Sequence, residues 1–182
     1  EDIQADRHYV RMVNDKAFER VTGYFKDGNI IYGGRTDAAT RFIEPTLIEN
    51  VPLDSPLMTE EIFGPVFPMI TIDGEFKEKV IDFVTSREKP LAFYYFGKES
   101  DGWEIIRRTS SGGGCINDVI MHIANENVPF GGVGNSGMGR YHDKDSFEAF
   151  SHTRSIIATG TWIDLPFRYM PYGMFGLVKK IL

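Results

Sequence analysis

The sequence has a single cysteine, no long apolar run and no excess of positive charge. Cys115 alone excludes an intramolecular disulfide and a cysteine-rich metal site, and it is compatible with a cytoplasmic location. No stretch of about 18 apolar residues occurs, so no membrane span is predicted. Lysine and arginine number 20 against 26 acidic residues, and the resulting net charge of −6 argues against binding to nucleic acid.

The start of the sequence resembles neither a signal peptide nor an initiation site. Its first residue is Glu1, and its first methionine is Met12. We therefore expect the 182 residues to be a piece of a longer polypeptide. Their number corresponds to about one domain at ~150 residues per domain. The hydrophobic fraction of 42% and the charged fraction of 25% are typical of a globular protein.

The first half of the sequence predicts one helix and two short apolar segments. Asn14 is a suitable helix cap, apolar residues follow at helical spacing, and Gly28 is a suitable stop. The apolar segments are Ile30–Tyr32 and Phe42–Ile48. Pro45 makes the second of them an edge strand or an irregular extended segment.

The middle of the sequence alternates between strand and helix patterns. The predicted order is a strand at Met69–Ile72, a helix with Phe76, Val80, Phe83 and Val84 on one face, a strand at Leu91–Phe96 that is covered on both faces, a helix carrying Trp103 and Ile106 that is capped by Ser100 or Asp101, and a strand at Cys115–Ile120. This alternation favours a parallel sheet with right-handed crossovers, and hence an α/β fold.

The pattern changes after Ile120, where a glycine-rich stretch begins. It contains Gly132-x-Gly134-x-x-Gly137, formally a dinucleotide-binding fingerprint, but without the strand before it and the helix after it that this motif requires. A loop with tight turns and close backbone approaches is the favoured interpretation. Phe147–Phe150 is predicted as a helical turn and Ser155–Thr159 as a short strand, and the last twenty residues form an aromatic, basic tail.

Cysteine and histidine are the side chains of this sequence that could act as a nucleophile or as metal ligands. Cys115 has no histidine near it in sequence and lies in a predicted strand, so a small hydrophobic role is favoured over a nucleophilic one. The four histidines show no metal-ligand spacing, so no metal site is predicted. His142 lies in a loop, where a functional role and a surface role with Asp143 or Asp145 as its partner are equally compatible with the sequence.

The segment Glu60–Pro65 places two acids and an aromatic residue before a Gly-Pro turn. A carboxylate here could accept hydrogen bonds from vicinal ribose hydroxyls, and an aromatic face could flank a flat heterocycle. The residues alone favour the alternative, a solvated helix end followed by a core phenylalanine.

Several segments taken together resemble the C-terminal part of an aldehyde dehydrogenase. In order they are EEIFGPV at Glu60–Val66, REKPLA at Arg87–Ala92, SSGGG at Ser110–Gly114, ND at Asn117–Asp118, PFGGVGNSGMGRYH at Pro129–His142 and SFEAFSHTRSI at Ser146–Ile156. The details of the later segments resemble the class 3 branch, which includes enzymes for fatty and aromatic aldehydes.

The resemblance implies oxidation of an aldehyde to a carboxylate with NAD or NADP, through a cysteine thiohemiacetal and thioester. It implies that Glu61 binds the nicotinamide ribose and that Phe63 contacts the nicotinamide end. Phe130, Tyr141 and His142 are implied to lie near the aldehyde pocket, with Asn117 ordering the loops around it.

The resemblance also implies that the catalytic nucleophile and general base are outside this sequence. The family's nucleophile lies in a Gly-Gln-x-Cys segment that is absent here, its general-base glutamate lies further upstream, and Cys115 matches a position that is not catalytic. We therefore expect residues 1–153 to be part of a catalytic domain that is inactive alone. Residues 154–182 are expected to be an oligomerisation strand and tail of a homodimer. The alternatives are weak membrane contact by this tail and, for the whole chain, a non-catalytic binding or oligomerisation module.

Overall fold

A computed structural model describes residues 2–164, 169–171, 176 and 179–180 of the chain. The chain divides into two compact units, Glu1–Arg87 with Arg107–Thr109 and Glu88–Ile106 with Ser110–Leu182. Each unit contains a parallel strand pair together with helices, so the α/β class predicted from the sequence is confirmed. The predicted division between residues 1–153 and 154–182 stays a prediction.

The first unit begins with the helix that the sequence predicts. Its elements are α1 (Asp15–Gly23), β1 (Asn29–Tyr32), β2 (Thr36–Asp37), β3 (Phe42–Ile43), β4 (Thr46–Glu49), α2 (Pro56–Thr59), β5 (Val66–Met69) and α3 (Phe76–Thr85). The Asn14 side chain accepts the backbone N–H of Ala17 at 2.8 Å and so caps α1. A short 3-10 turn over Tyr24–Asp27 continues α1 and ends at Gly28, the predicted stop.

The main sheet of this unit has the order β1-β4-β5. β4 pairs antiparallel with β1 and parallel with β5. Pro45 separates β3 from β4, so the predicted Phe42–Ile48 segment forms two short strands. The predicted strand at Met69–Ile72 is wrong in its position, because pairing with β4 begins at Val66 and β5 ends at Met69. Pro68 is tolerated because β5 is an edge strand of this sheet.

The core of the first unit is an apolar cluster shared by α1, the 3-10 turn, the strands and α2. Its buried members are Phe18, Val21, Tyr24, Ile43, Ile48, Val51, Leu57 and Val66. Each fully buried aliphatic or aromatic side chain contributes about 1.5–3 kcal/mol to folding relative to an exposed one. The cluster therefore fixes α1 to the turn between α2 and β5, because Ile62 of that turn also packs against it.

The remaining elements are β6 (Ala92–Tyr95), α4 (Glu99–Arg108), β7 (Gly113–Ile116), α5 (Met121–Ala124) and α6 (Asp143–Ala149). The predicted parallel pairing of β6 with β7 across a helix is confirmed. β6 is half-buried along its length, so the prediction that both of its faces are covered is wrong.

Two predicted boundaries in this region are also wrong. α4 begins at Glu99, and Lys98 accepts the first helical hydrogen bonds, so Ser100 and Asp101 lie within the first turn and do not cap it. β7 ends at Ile116 and does not reach Ile120. The backbone leaves the strand conformation because Asn117 has φ +57° and Ile120 has φ +66°.

The glycine-rich stretch after α5 is a loop of tight turns, as predicted. A Cβ atom on Gly132 would lie 2.1 Å from the Ser136 carbonyl oxygen, so only glycine fits at this approach. A 3-10 turn over Gly134–Ser136 is its only regular element in the described chain. α6 starts earlier than the predicted helical turn at Phe147–Phe150 and includes most of it.

The segment after α6 contains no regular structure between residues 151 and 160. The segment Ser155–Thr159 pairs with no described segment of this chain, and the oligomerisation strand expected there stays a prediction. Ile156 and Ile157 are exposed. Of the tail aromatics, Trp162 and Tyr169 are exposed, whereas Phe167 and Phe175 lie outside the described residues. No helix in the described part of the chain is long and apolar enough to cross a membrane.

Candidate functional site

The predicted coenzyme residues Glu61 and Phe63 lie in the turn that joins α2 to β5. The Glu61 side chain is exposed, and the Phe63 side chain is 74% exposed. Phe63 also has φ +41°, in the left-handed region that costs an L residue roughly 1–2 kcal/mol. The alternative in which Phe63 belongs to the core is therefore wrong. A strained backbone that displays an aromatic ring to solvent is typical of a binding turn.

The arginine of α1 holds the backbone of this turn in place. The Arg20 guanidinium donates to the carbonyl oxygens of Glu61 at 3.0 Å and Ile62 at 2.8 Å. The same group donates to the phenol oxygen of Tyr24. The Tyr24 hydroxyl in turn donates to the Glu60 carboxylate at 2.8 Å. We call this set, Arg20, Tyr24 and Glu60, the arginine brace.

The titration of Tyr24 reflects its position in the brace. Burial raises the pKa of the Tyr24 phenol, and the hydrogen bond to Glu60 raises that pKa further, whereas Arg20 lowers it. Burial is the largest of these effects, so the phenol keeps its proton through and above the neutral range. Tyr24 therefore remains a donor to Glu60 at physiological pH.

The other end of the turn is fixed by packing. A Cβ atom on Gly64 would lie 2.8 Å from a methyl carbon of Val21, which is fully buried in α1. The Pro65 carbonyl accepts the backbone N–H of Thr46 at 2.9 Å, where β4 and β5 begin to pair. The turn is thus anchored on both sides of Phe63, which leaves the Glu61 and Phe63 side chains facing solvent.

These two side chains fit the nicotinamide half of a dinucleotide. An ionised carboxylate accepts hydrogen bonds at both oxygens, which matches the two vicinal hydroxyls of a ribose. An exposed aromatic face is suited to contact with a flat heterocycle. The exposed carboxylate of Glu61 and the exposed ring of Phe63 could therefore make these two contacts, and the coenzyme-binding role implied for them stays a prediction.

Three of the predicted substrate residues lie together in the second unit. Phe130 and Tyr141 exchange two backbone hydrogen bonds of 2.9 Å each. Their ring centroids are 5.6 Å apart, and the His142 ring lies 4.6 Å from Tyr141 and 6.2 Å from Phe130. Tyr141 and His142 also line a cavity of about 590 Å³, together with residues of α5 and α6. The glycine-rich loop therefore presents an aromatic wall formed by Phe130, Tyr141 and His142.

The imidazole of His142 is oriented by the backbone of the same loop. Its Nδ1 lies 2.9 Å from the Val128 carbonyl oxygen, and because a carbonyl can only accept, Nδ1 carries the proton. Of the two alternatives left open for His142, the surface role with Asp143 or Asp145 as partner is not supported, because the ring contact observed is to the Val128 carbonyl. Asp145 binds Arg140 at 2.6 Å, and the His142 backbone N–H donates to the Ser146 hydroxyl at 2.9 Å.

Asn117 ties together the loops that follow β6 and β7. Its side-chain oxygen accepts the backbone N–H of Gly97 at 2.8 Å, and its side-chain nitrogen donates to the Gly97 carbonyl at 3.0 Å. Its own backbone N–H donates to the Tyr95 carbonyl at 2.7 Å. Asn117 thus orders these two loops, and their place beside an aldehyde pocket stays a prediction.

Sequence reasoning missed His122, which extends the aromatic wall. The rings of Tyr94 and Phe130 each lie 5.6 Å from the His122 ring. His122 Nδ1 is 3.6 Å from the Cys115 sulfur, so a histidine lies near this thiol in space although the sequence suggested none. The one sign of this contact in the sequence was the short separation of seven positions between Cys115, in β7, and His122, in α5. Arg20 and Tyr24 were missed as well, and their i, i+4 spacing on one helix face was the only sign of their contact.

The chain matches the aldehyde dehydrogenase family over residues 4–156. It is 46% identical over 158 residues to the dimeric NADP-preferring aldehyde dehydrogenase of Bos taurus, and the aligned region covers 86% of this chain and 65% of that relative. It is 39% identical over 187 residues to aldehyde dehydrogenase family 3 comG of Dictyostelium discoideum, and the aligned region covers 100% of this chain and 39% of that relative. The chain thus spans about two fifths to two thirds of these relatives.

Solved structures of the same family agree with this match. The substrate-bound state of Staphylococcus aureus AldH is similar with a TM-score of 0.87 and 43% identity, over all of this chain and 40% of that one. A Mycobacterium tuberculosis aldehyde dehydrogenase complexed with NAD+ is similar with a TM-score of 0.72 and 27% identity, over 85% of this chain and 33% of that one. The chain therefore belongs to the aldehyde dehydrogenase family, and its relatives include members of the class 3 branch that its motifs indicate.

Proposed function

We propose that this chain supplies the nicotinamide-binding turn and one wall of the aldehyde pocket in an NAD(P)-dependent aldehyde dehydrogenase. The observation that carries the proposal is the display of Glu61 and Phe63 on a turn anchored by Arg20 and Gly64. The NADP preference of the bovine relative and the NAD+ complex of the mycobacterial structure support NAD or NADP as the coenzyme. When bound, this coenzyme accepts the hydride of the aldehyde.

The aromatic wall supports a medium- or long-chain aliphatic aldehyde, or an aromatic aldehyde, as the substrate. Tyr141 and His142 line a cavity, and the Phe130 ring packs against both of their rings, with the imidazole held in one orientation. We assign no catalytic residue to this chain. The nucleophilic cysteine and the general-base glutamate are proposed to come from a preceding segment, so residues 1–182 alone should not turn over. Cys115 is proposed to be non-catalytic, and a cytoplasmic location stays a prediction.

The coding sequence upstream of Glu1 tests this proposal first. In-frame codons for a Gly-Gln-x-Cys segment, with an acidic residue further upstream, are expected. The polypeptide expressed from the whole reading frame should then reduce NAD or NADP with an aldehyde, measured by absorbance of the reduced coenzyme. Residues 1–182 expressed alone serve as the inactive control. A start codon next to Glu1 would instead support the non-catalytic binding or oligomerisation module.

We also propose that residues 154–182 contribute to a homodimer, in keeping with the dimeric form named for the bovine relative. Ile156 and Ile157 are exposed in a segment that has no partner strand among the described residues. Ending the full polypeptide after Thr153 is expected to convert the dimer into a monomer in sedimentation equilibrium. A truncated protein that remains a dimer would refute this interface. Loss of binding to anionic vesicles on truncation, with the dimer retained, would support membrane contact by the tail instead.

A further inference from the structure

We infer that Arg20 is a positioning residue for coenzyme binding, acting through the turn that carries Glu61 and Phe63. This inference rests on the proposed function. Arg20 is separated from Glu61 by 41 positions in sequence, yet its two guanidinium nitrogens reach the consecutive carbonyl oxygens of Glu61 and Ile62. Arg20 therefore holds the two consecutive peptide units that link the displayed carboxylate of Glu61 to the displayed ring of Phe63.

The geometry of the contact suits arginine in particular. A guanidinium presents its donors in a planar fork, so its two terminal nitrogens can bind two acceptors at once. A lysine ammonium is a single point of charge and can hold one of the two carbonyls well. Replacing Arg20 by lysine should therefore retain the charge while losing part of the restraint on the turn.

The rest of the brace gives the two neighbouring acids different roles. Glu60 is tied to the buried Tyr24 phenol, which also accepts a hydrogen bond from Arg20. Glu61 is held only through its backbone carbonyl among the contacts described, and its side chain remains exposed. Glu60 thus acts as an anchor, which leaves the Glu61 carboxylate available for a ligand.

The strain at Phe63 explains why the restraint matters. A phenylalanine with φ +41° prefers to relax to negative φ, and its ring would move with the backbone. The fixed carbonyls of the two preceding residues oppose this relaxation. Without Arg20 we expect the turn to sample other conformations, so that Glu61 and Phe63 are only fractionally in the binding arrangement and coenzyme affinity falls by that fraction.

The test compares Arg20→Gln and Arg20→Lys with Arg35→Gln in the full polypeptide. Arg35 is a matched control, because it is an exposed arginine of the same unit that binds the Glu44 carboxylate and not the turn. Two readouts are needed. The first readout is the change in KM for the coenzyme relative to wild type, compared with the change in KM for the aldehyde. The other is the rate at which a glutamate-specific protease cuts after Glu60 or Glu61, relative to cutting after Glu126 in the same molecule.

For Arg20→Gln we expect about a tenfold rise in coenzyme KM, an unchanged aldehyde KM and at least about tenfold faster cutting of the turn. Arg20→Lys should fall between this variant and wild type, and Arg35→Gln should match wild type. If the wild type is active but Arg20→Gln shows an unchanged coenzyme KM or an unchanged rate of cutting, the inference about Arg20 is overturned and the proposed function is not. Equal rises in both KM values would overturn it too, since they would indicate general loss of structure. A wild-type polypeptide without dehydrogenase activity would overturn the proposed function and this inference together.

Discussion

Replacing Glu61 by glutamine in the full polypeptide is expected to slow hydride transfer by about 30-fold, corresponding to roughly 2 kcal/mol of lost interaction with the coenzyme. Glutamine has nearly the same shape as glutamate, but its neutral amide retains one acceptor oxygen and loses the charge that strengthens both hydrogen bonds to a ribose. The side chain is exposed, so the substitution leaves no buried group without a partner. The effect should therefore appear in catalysis and not in stability.

An aldehyde deuterated at its reacting carbon gives the sharpest measurement. If Glu61 holds the nicotinamide ribose, hydride transfer becomes slower than the other steps in Glu61→Gln, and the isotope effect on kcat rises above that of wild type. Glu75→Gln is the matched control, since Glu75 is an exposed acid of the same unit at the start of α3. A wild-type rate and isotope effect in Glu61→Gln would remove Glu61 from the coenzyme site.

Elements defined by local signals could be predicted from the sequence. α1 begins directly after Asn14 because a side-chain cap acts on the first turn of its own helix, and the turn after α1 stops at Gly28 for similarly local reasons. The ends of β5 and β7 could not be predicted in this way. β5 starts where β4 pairs with it, and β7 stops where Asn117 takes a left-handed conformation to bind Gly97. Both ends depend on residues distant in sequence.

In the candidate site, too, the residues of a local motif could be predicted, whereas contacts that depend on the fold could not. Glu61 and Phe63 could be proposed because an acid, an aromatic residue and a Gly-Pro turn follow one another in a motif that resembles a known family. The arginine brace could not be proposed, because a helix arginine carries no sign that it binds two carbonyls 41 and 42 positions away. The contact between Cys115 and His122 is hidden for the same reason, since it requires the positions of a strand end and of α5.

The substitution Ile48→Ala is expected to lower the free energy of unfolding of the first unit by about 3–4 kcal/mol. Ile48 is fully buried in β4, the central strand of its sheet. A Cβ atom on Gly28 would lie 2.8 Å from an Ile48 methyl carbon, so the backbone after α1 packs directly on this side chain. Because β4 is held by strands on both sides, it cannot move inward to fill the space, and the cavity term adds to the lost burial.

Urea unfolding followed by circular dichroism measures this loss, with Ile31→Ala as the matched control. Ile31 lies in the neighbouring strand β1 and is 45% exposed, so the same chemical change there should cost about 1 kcal/mol or less. Equal losses for the two variants would contradict the assignment of Ile48 to the core. The Ile48→Ala substitution should also loosen the packing between α1 and the turn that carries Glu61 and Phe63. Val21 of α1 belongs to the same cluster as Ile48, and Ile62 of the turn packs against that cluster. The variant should therefore show faster protease cutting after Glu61 even in conditions where most molecules remain folded.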